Sequence, residues 1–413
     1  MSRWIAGRLA APYCAAIALV VAAACFGTPA AADTQTRPTV LGVSGSSIEP
    51  IINNNLAYCY AGTLGSLVTD GPFQYILSNN HVLAKENNPD STVWPNLDGH
   101  DIVQPGLLDG TCTASGGDLD DVVGYLTNYF PLAFGKGKTF PQNTVDAAVA
   151  ETNANISGIG DFTSMVEAKG YIKNLGYLSY IGYLTTESSG SVNLGDLVQK
   201  TGRTTGHTFG QVSGVNVSIK VSYTSGTAYF VNQIEVTGLC GTTFSDAGDS
   251  GSLIASLPKG AARAAVGLLF AGGSSSTFAN HIDAVLTALG GSLHMVAGGS
   301  GNSDSNNIDD VTGNTAVPTC SSSGGTGGGH GKPHVAVDPG AVTKAAQIAD
   351  QHSAELFAVS GVLGYGIGAD DSGHAVIRVY LEHARVPAST QSLPSQIGGI
   401  PVQVVITGTI KAY

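Results

Sequence analysis

The stretch over residues 244–253 constrains this chain most, because it sets one serine between two glycines in a sharp polar corner. Gly248 and Gly251 flank Ser250 and can adopt backbone angles that are closed to other residues. Such a turn can aim the backbone N–H groups of Gly248 and Ser250 at one point, as an oxyanion hole requires. The same composition also makes an ordinary surface turn, so the stretch alone is compatible with both interpretations.

Two further segments favour a catalytic interpretation. His81 follows an apolar strand-like run and a polar corner, and Asp146 is the lone acid in the apolar segment 143–150. A buried carboxylate is costly unless it is paired or hydrogen-bonded, and orienting an imidazole meets that need. A serine hydroxyl in turn needs a base within hydrogen-bonding reach. The chain order His81, Asp146, Ser250 is one in which such triads occur.

These segments resemble trypsin-like serine peptidases of the chymotrypsin fold, and the bacterial secreted branch most closely. The match extends over about residues 40–298, with two supporting segments at 198–206 and 266–273. It implies an all-β fold of two six-stranded antiparallel β-barrels. Three motifs carry the resemblance: Ser78-Asn79-Asn80-His81-Val82-Leu83, Val145-Asp146-Ala147-Ala148 and Gly248-Asp249-Ser250-Gly251-Ser252.

The resemblance implies a serine endopeptidase that hydrolyses peptide bonds through an acyl-enzyme. Ser250 would be the nucleophile, His81 the general base and Asp146 the acid that orients the imidazole. The N–H groups of Gly248 and Ser250 would bind the oxyanion. No cofactor and no metal are expected. Asp249 is expected to be structural, with Arg203 as a hypothetical partner.

The primary specificity pocket follows from the same resemblance. In the family its base lies six residues before the nucleophile, where trypsins carry an Asp; here that residue is Phe244. An unpaired cation would be costly in an apolar pocket, so we expect cleavage after apolar residues of small to medium size. His207 could instead favour Glu, or be a turn histidine in contact with solvent. The implied pocket residues are Phe244, Leu269, Phe270, Ala271 and Gly272.

The N-terminus has the pattern of a signal peptide. Arg3 and Arg8 precede an apolar run over residues 9–26, and the segment 29–32 is typical of a cleavage site near Ala32. A membrane anchor, or a lipoprotein acylated on Cys25, is the alternative. No later stretch is long and apolar enough to span a bilayer. The expected location is therefore secreted or periplasmic.

Charge and composition limit the partners. The net charge is −12, and loss of the signal segment removes two basic residues and no acid. An acidic surface disfavours nucleic acid and anionic membranes, so the expected partner is a protein or peptide substrate. The oligomeric state is left open. The 56 glycines and many short apolar runs are typical of an all-β chain.

The chain divides by composition into five segments. The linker is rich in Gly and Ser and too polar to bury a core. Beyond it, residues 342–357 have helical periodicity and strand-like runs follow, which predicts a small separate α/β domain for binding or assembly. The predicted segments are 1–32 signal peptide, 40–150 first β-barrel, 151–298 second β-barrel, 299–335 linker and 336–413 accessory domain.

Four cysteines lie outside the signal segment. An even number in an exported chain favours two disulfides, for which three connectivities are possible. Cys59 and Cys112 both fall in the first barrel that the resemblance implies, so we expect them to pair. Cys240 and Cys320 would then join the linker to the segment before the nucleophile loop.

Two other functional classes stay open. A serine esterase of the GDS type is disfavoured by chain order, and a G-x-S-x-G elbow fails because Ser252 stands where glycine is required. A binding protein on an inactive peptidase scaffold is the second alternative, since a fold does not guarantee its activity. His100, and His330 with His334, could hold a metal, but solvated loops are the preferred interpretation.

Overall fold

Short apolar runs separated by polar turns fold into strands, and the protein is mostly β. The described residues form one compact unit. Among them no helix is long and apolar enough to cross a membrane. The computed structural model describes residues 37–53, 56–89, 101–110, 112, 119–136, 139–152, 164–175, 177–178, 192–257, 264–297, 320, 337–382 and 393–413. The predicted signal peptide, His100, His330 and His334 lie outside these residues.

The first half of the chain forms a curled sheet with one short helix. Its elements are β1 (Val43–Ser47), β2 (Ile51–Asn53), β3 (Leu56–Tyr58), β4 (Gly62–Leu64), β5 (Ser66–Thr69), β6 (Gln74–Ser78), α1 (Asn80–Leu83), β7 (Asp101–Val103), β8 (Val122–Tyr129), β9 (Gln142–Asn143) and β10 (Ala148–Glu151). A later strand, β17 (His294–Met295), joins its edge, and the strand order is β17-β5-β6-β10-β8-β7-β1-β4. β2 and β3 form a separate hairpin, and β9 lies outside this sheet because it pairs with residues 229–230 of the second half of the chain.

Gly65 lies where the loop that carries Ser250 packs against this sheet. It separates β4 from β5, which pair with β1 and β6 respectively. A Cβ at Gly65 would lie 1.9 Å from the main-chain oxygen of Gly251, so no larger residue fits there. The enclosed core is apolar and includes Leu67, Ile76 and Val149.

The second half closes into a ring of antiparallel strands. β12 pairs with both β11 and β13, and the remaining pairings run from β11 through β14, β15 and β16 to β13. The elements are β11 (Leu197–Gly202), β12 (Gly206–Ser222), β13 (Thr227–Gly238), β14 (Leu253–Ser256), β15 (Ala265–Gly272), β16 (Thr277–His281) and α2 (Ile282–Ala288). The backbone of residues 279–281 pairs with β15, so helix α2 begins only at Ile282.

Residues 337–413, here called the C-terminal unit, extend this second sheet. They contain α3 (Pro339–Gln351), α4 (Ser353–Ala358), β18 (Val362–Ala369), β19 (Ala375–Leu381), β20 (Gln396–Ile397), β21 (Ile400–Ile406) and β22 (Lys411–Ala412). β18 pairs antiparallel with β12, and β22 pairs with both β12 and β15. The unit predicted to be separate therefore shares one sheet with the second half of the chain.

A buried polar cluster also joins the C-terminal unit to the ring of strands in the second half of the chain. Glu235 of β13 is fully buried and accepts a hydrogen bond from the hydroxyl of Tyr380 at 2.9 Å. Arg378 lies 3.3 Å from the same carboxylate and donates to the main-chain oxygen of Ser213 at 2.7 Å. A buried carboxylate needs such partners, and here two of them come from β19.

Both predicted disulfides are present. Cys59 pairs with Cys112 across a Cα–Cα distance of 5.8 Å, and Cys240 pairs with Cys320 across 5.2 Å. Both distances lie in the ordinary range for a disulfide. The second bond closes a sequence separation of 80 residues and connects residue 320 to the turn before the loop that carries Ser250.

Candidate active site

The loop that carries Ser250 is seated directly on strand β4. The N–H of Thr63 donates to the main-chain oxygen of Ser250 at 2.7 Å, and its hydroxyl donates to that of Gly248 at 3.0 Å. Gly248 and Gly251 have φ angles of +98° and +90°, which favour glycine. A Cβ on Gly251 would also lie 2.2 Å from the main-chain oxygen of Thr63. Both predicted glycines are therefore needed for this close approach.

His81 and Asp146 form a buried pair. The ring atom Nδ1 of His81 lies 2.6 Å from Oδ2 of Asp146, and the backbone N–H of His81 donates to Oδ1 at 3.2 Å. The Asp146 side chain is fully buried and that of His81 is 10 % exposed. The side chain of Asn79 donates to the main-chain oxygen of Asp146 at 2.6 Å. The polar corner before helix α1 thus connects the two predicted segments.

Two other side chains hold Asp146 in place. The hydroxyl of Tyr223, just beyond β12, donates to Oδ2 at 2.8 Å, and Oδ1 of Asn280 accepts the backbone N–H of Asp146 at 2.9 Å. The Tyr223 ring also meets the His81 ring edge to face, with centroids 5.8 Å apart. Burial and the neighbouring carboxylate raise the pKa of Tyr223, so its hydroxyl stays a donor.

One residue from the far end of the chain lies between His81 and Ser250. The N–H of Tyr413 donates to Oγ of Ser250 at 3.1 Å, and its main-chain oxygen lies 3.0 Å from Nε2 of His81. Oγ of Ser250 donates to the main-chain oxygen of Phe270 at 3.1 Å. In this arrangement Ser250 and His81 are bonded to Tyr413 rather than to each other.

The pKa of His81 is raised above its ordinary value of 6.5. Burial opposes the charged form, but the Asp146 carboxylate attracts it and hydrogen bonds to Asp146 and Tyr413 favour it. Both of these partners present oxygen atoms, so a ring protonated on both nitrogens satisfies both contacts. The contact with Tyr413 therefore favours the imidazolium form of His81.

The predicted oxyanion donors lie on the turn of the nucleophile loop. Among the residues that the structure describes, no acceptor contacts the backbone N–H of Gly248 or of Ser250. Neighbouring N–H groups are satisfied: that of Asp249 donates to Asp246 and that of Gly251 donates to Leu269. Two unpaired donors on one turn beside a serine hydroxyl are compatible with the predicted oxyanion hole.

Asp249 pairs with Lys200 and not with Arg203, the partner hypothesised from the sequence. Lys200 Nζ lies 3.3 Å from Oδ2 of Asp249, and both side chains are fully buried. Burial lowers the pKa of Lys200, while the Asp249 carboxylate opposes that change. Arg203 instead makes a two-pronged contact with Asp109 from the first half of the chain. A buried carboxylate is costly unless it is paired, and strand β11 places the Lys200 ammonium within reach of Asp249, directly beneath the loop.

The predicted pocket residues lie around Tyr413 or the residues just before it, some through main-chain contacts and others through apolar packing. Phe270 contributes its main-chain oxygen, which accepts the N–H of Tyr413 at 3.3 Å, while its ring packs against Phe230 at 4.6 Å. Ala271 and Gly272 pair with residues 412 and 411 of β22. Phe244 and Leu269 belong to the buried apolar cluster against which Tyr413 packs.

His207 has partners within its own strand region. Its Nε2 lies 3.0 Å from Oε1 of Gln199, and its ring lies 4.8 Å from that of Phe209. The hypothesis that this histidine selects Glu stays a prediction.

Sequence reasoning missed four residues of this site: Tyr223, Asn280, Lys200 and Tyr413. Lys200 lies in the supporting segment 198–206, and a lone lysine in a buried strand is a signal that could have identified it. The other three carry no local signal, because their contacts arise only when distant segments pack together.

Comparisons with known proteins identify serine proteases among solved structures. No protein-family model and no curated protein matches the chain. A structure described as a glutamic acid specific serine protease that utilizes a novel histidine triad in substrate binding matches at 18% identity over 62% of this chain and 100% of that chain, with a TM-score of 0.34. Protease A of Thermobifida fusca matches at 19% identity over 61% and 98%, with a TM-score of 0.33. Nocardiopsis protease matches at 16% identity over 62% and 97%, with a TM-score of 0.32.

Proposed function

We propose that this chain is a secreted serine endopeptidase of the chymotrypsin type, with two six-stranded barrels and a cleaved signal peptide. Ser250 attacks the peptide carbonyl, and His81 accepts its proton and later protonates the leaving amine. Asp146 fixes the imidazole and stabilises its charged form. The N–H groups of Gly248 and Ser250 bind the oxyanion.

One observation carries this proposal. The backbone of a single residue, Tyr413, contacts both side chains: its N–H donates to Oγ of Ser250 at 3.1 Å, and its main-chain oxygen lies 3.0 Å from Nε2 of His81. The two side chains therefore face one point at which a peptide backbone fits. Acyl transfer needs a nucleophile and a base at such a point, with the base held by a third group. The 2.6 Å contact between His81 and Asp146 supplies that third group.

Peptide hydrolysis by single and double variants tests the assignment. Ser250→Ala and His81→Ala should each abolish nearly all turnover, by about 10⁴-fold or more. The double variant should be little worse than either single one, because the members of a triad act as a unit. Substantial turnover by Ser250→Ala, or fully additive losses, would refute the assignment.

A peptide-binding protein on an inactive scaffold is the second candidate. The observation in its favour is that the cleft already holds a peptide strand and that Oγ of Ser250 donates to Phe270 rather than to His81. Under this alternative Ser250→Ala removes only the hydrogen bonds that Oγ makes with Tyr413 and Phe270, and peptide binding otherwise persists.

A further inference from the structure

The last strand of the chain lies along the cleft in front of Ser250. Residues 410–413, here called the tail, contain β22, which pairs antiparallel with β15 through Ala271–Ala412 and Gly272–Lys411. The same strand pairs in parallel with the end of β12 at Ser222. A peptide that adds a strand to a sheet edge gains affinity from its main-chain hydrogen bonds. The tail is bound in this manner by two strands at once.

The side chain of Tyr413 occupies a close-fitting slot. Its hydroxyl donates to the main-chain oxygen of Gly273 at 3.1 Å. A Cβ on Gly272 would lie 2.2 Å from Cζ of Tyr413, so the ring rests directly on the glycine backbone. Burial raises the pKa of the Tyr413 hydroxyl, which therefore remains a donor. The slot has room for a tyrosine ring and an acceptor at its far end.

We propose that the tail binds as the acyl-side peptide of a substrate, so that the site prefers tyrosine before the cleaved bond and is inhibited by its own C-terminal segment. This inference rests on the proposed function. It also revises the expected preference for small to medium apolar residues, because a whole tyrosine ring fits the slot.

The bound tail disables both reacting groups. Ser250 directs its proton to Phe270 and accepts from Tyr413, so the hydroxyl does not face the base. The main-chain oxygen of Tyr413 contacts His81 instead of an oxyanion donor. Its carbonyl oxygen therefore lies outside the oxyanion hole, and a His81 ring that donates Nε2–H to this oxygen cannot accept the proton of Ser250. The tail in this position acts as an inhibitor and not as a substrate.

Several contacts of the C-terminal unit hold the tail in place. The N–H of Ser222 donates to Ile410 at 2.9 Å, and that of Ser274 donates to Thr407 at 2.6 Å. Ile410 and Thr407 are both buried. Since the unit is joined to β12 by β18, the tail is presented at a high effective concentration. Even a segment that binds weakly then occupies the cleft in most molecules.

A binding assay in an inactive background tests the tail independently of catalysis. In Ser250→Ala protein, a fluorescent peptide Ile-Lys-Ala-Tyr should bind the Tyr413→Ala chain at least about tenfold more tightly than the chain with its tail intact. Lys344→Ala, an exposed change on α3, is the matched control and should behave like the intact chain. Equal binding by all three chains would overturn the proposal.

Hydrolysis supplies the second readout. Tyr413→Ala in the otherwise native chain should raise the rate on Ile-Lys-Ala-X chromogenic peptides about tenfold or more, with X = Tyr best. Phe at X should be about three- to tenfold poorer, because it lacks the hydrogen bond to Gly273. Lys and Glu at X should be poorer still.

A pocket variant keeps the proposal falsifiable if Tyr413→Ala fails to fold. Gly272→Ala fills the slot, so it should release the tail and abolish the preference for Tyr while cleavage after Ala persists. An unchanged preference for Tyr in Gly272→Ala would contradict the claim that this slot binds the tyrosine side chain. If the peptide binds as expected but no chain hydrolyses any peptide, the tail inference stands and the proposed function fails.

Discussion

The Lys200–Asp249 pair beneath the nucleophile loop gives the sharpest stability prediction. Both side chains are fully buried, and Nζ lies 3.3 Å from the carboxylate. Removing one partner of a buried pair costs about 3–5 kcal/mol, because the other charge is left uncompensated. In Lys200→Met, Asp249 keeps the hydroxyl and N–H of Thr205 and the N–H groups of Thr204 and Asp246. These four donors place the expected cost near the lower end, at about 3 kcal/mol.

Urea denaturation measures this cost. A loss of about 3 kcal/mol moves the midpoint down by about 1 M for an m-value of about 3 kcal/mol/M. Asp249→Asn should be at least as costly, since it leaves Lys200 charged with only the neutral acceptors Thr205 and Gly206. The exposed Lys344→Met is the matched control and should stay within about 0.5 kcal/mol of wild type.

The double variant Lys200→Met/Asp249→Asn tests whether the single losses arise from a buried charge that is left unpaired. It removes both charges, so its loss in free energy of unfolding should be smaller than the sum of the two single losses by at least about 1.5 kcal/mol. Single losses below about 1 kcal/mol, or additivity within about 0.5 kcal/mol, would refute the uncompensated-charge argument. Loop shape depends on the same pair, so peptide hydrolysis should fall in both single variants.

Two further predictions concern the groups around His81. Tyr223→Phe removes the donor to Asp146 and should lower kcat about tenfold, since a hydrogen bond to a charged group contributes about 1.5–3 kcal/mol; an unchanged kcat and pH profile would contradict this. The raised pKa of His81 means that its stabilising contribution is complete below 6.5 and lost as the pH rises through the higher folded value. Burial lowers this pKa, while Asp146, Glu86 and the main-chain oxygen of Tyr413 raise it. Tyr413→Ala should release the tail and so withdraw this oxygen from His81, and the acid limb of the rate profile should then move to lower pH; a limb that stays in place would contradict the contact.

The convergence of the predicted site residues could be anticipated from the sequence. His81, Asp146 and Ser250 each lie in a local motif whose polar residue is set among apolar ones, and such residues need partners once buried. The glycines around Ser250 were predictable for a local reason, since their positive φ angles belong to the turn itself. The disulfides followed the expected pairing: Cys59 and Cys112 both fall in the implied first barrel, and Cys240–Cys320 is the pairing that then remains.

The rest could not be predicted because it depends on long-range packing. Tyr223 is separated from Asp146 by 77 positions and Tyr413 from His81 by 332, and no periodicity links them. Residues 337–413 have their own helices and strands, so they were predicted as a separate domain. Their edge pairing with β12 depends on an exposed sheet edge that the sequence of either segment does not reveal.

A serine-directed fluorophosphonate probe tests the central claim most directly. With the cleft opened by Tyr413→Ala, we expect one adduct, on Ser250, identified by mass spectrometry of the folded protein. The adduct should be lost in His81→Ala, because the hydroxyl then lacks its base. Absence of any adduct in folded Tyr413→Ala protein, or labelling that is unaffected by His81→Ala, would contradict the account.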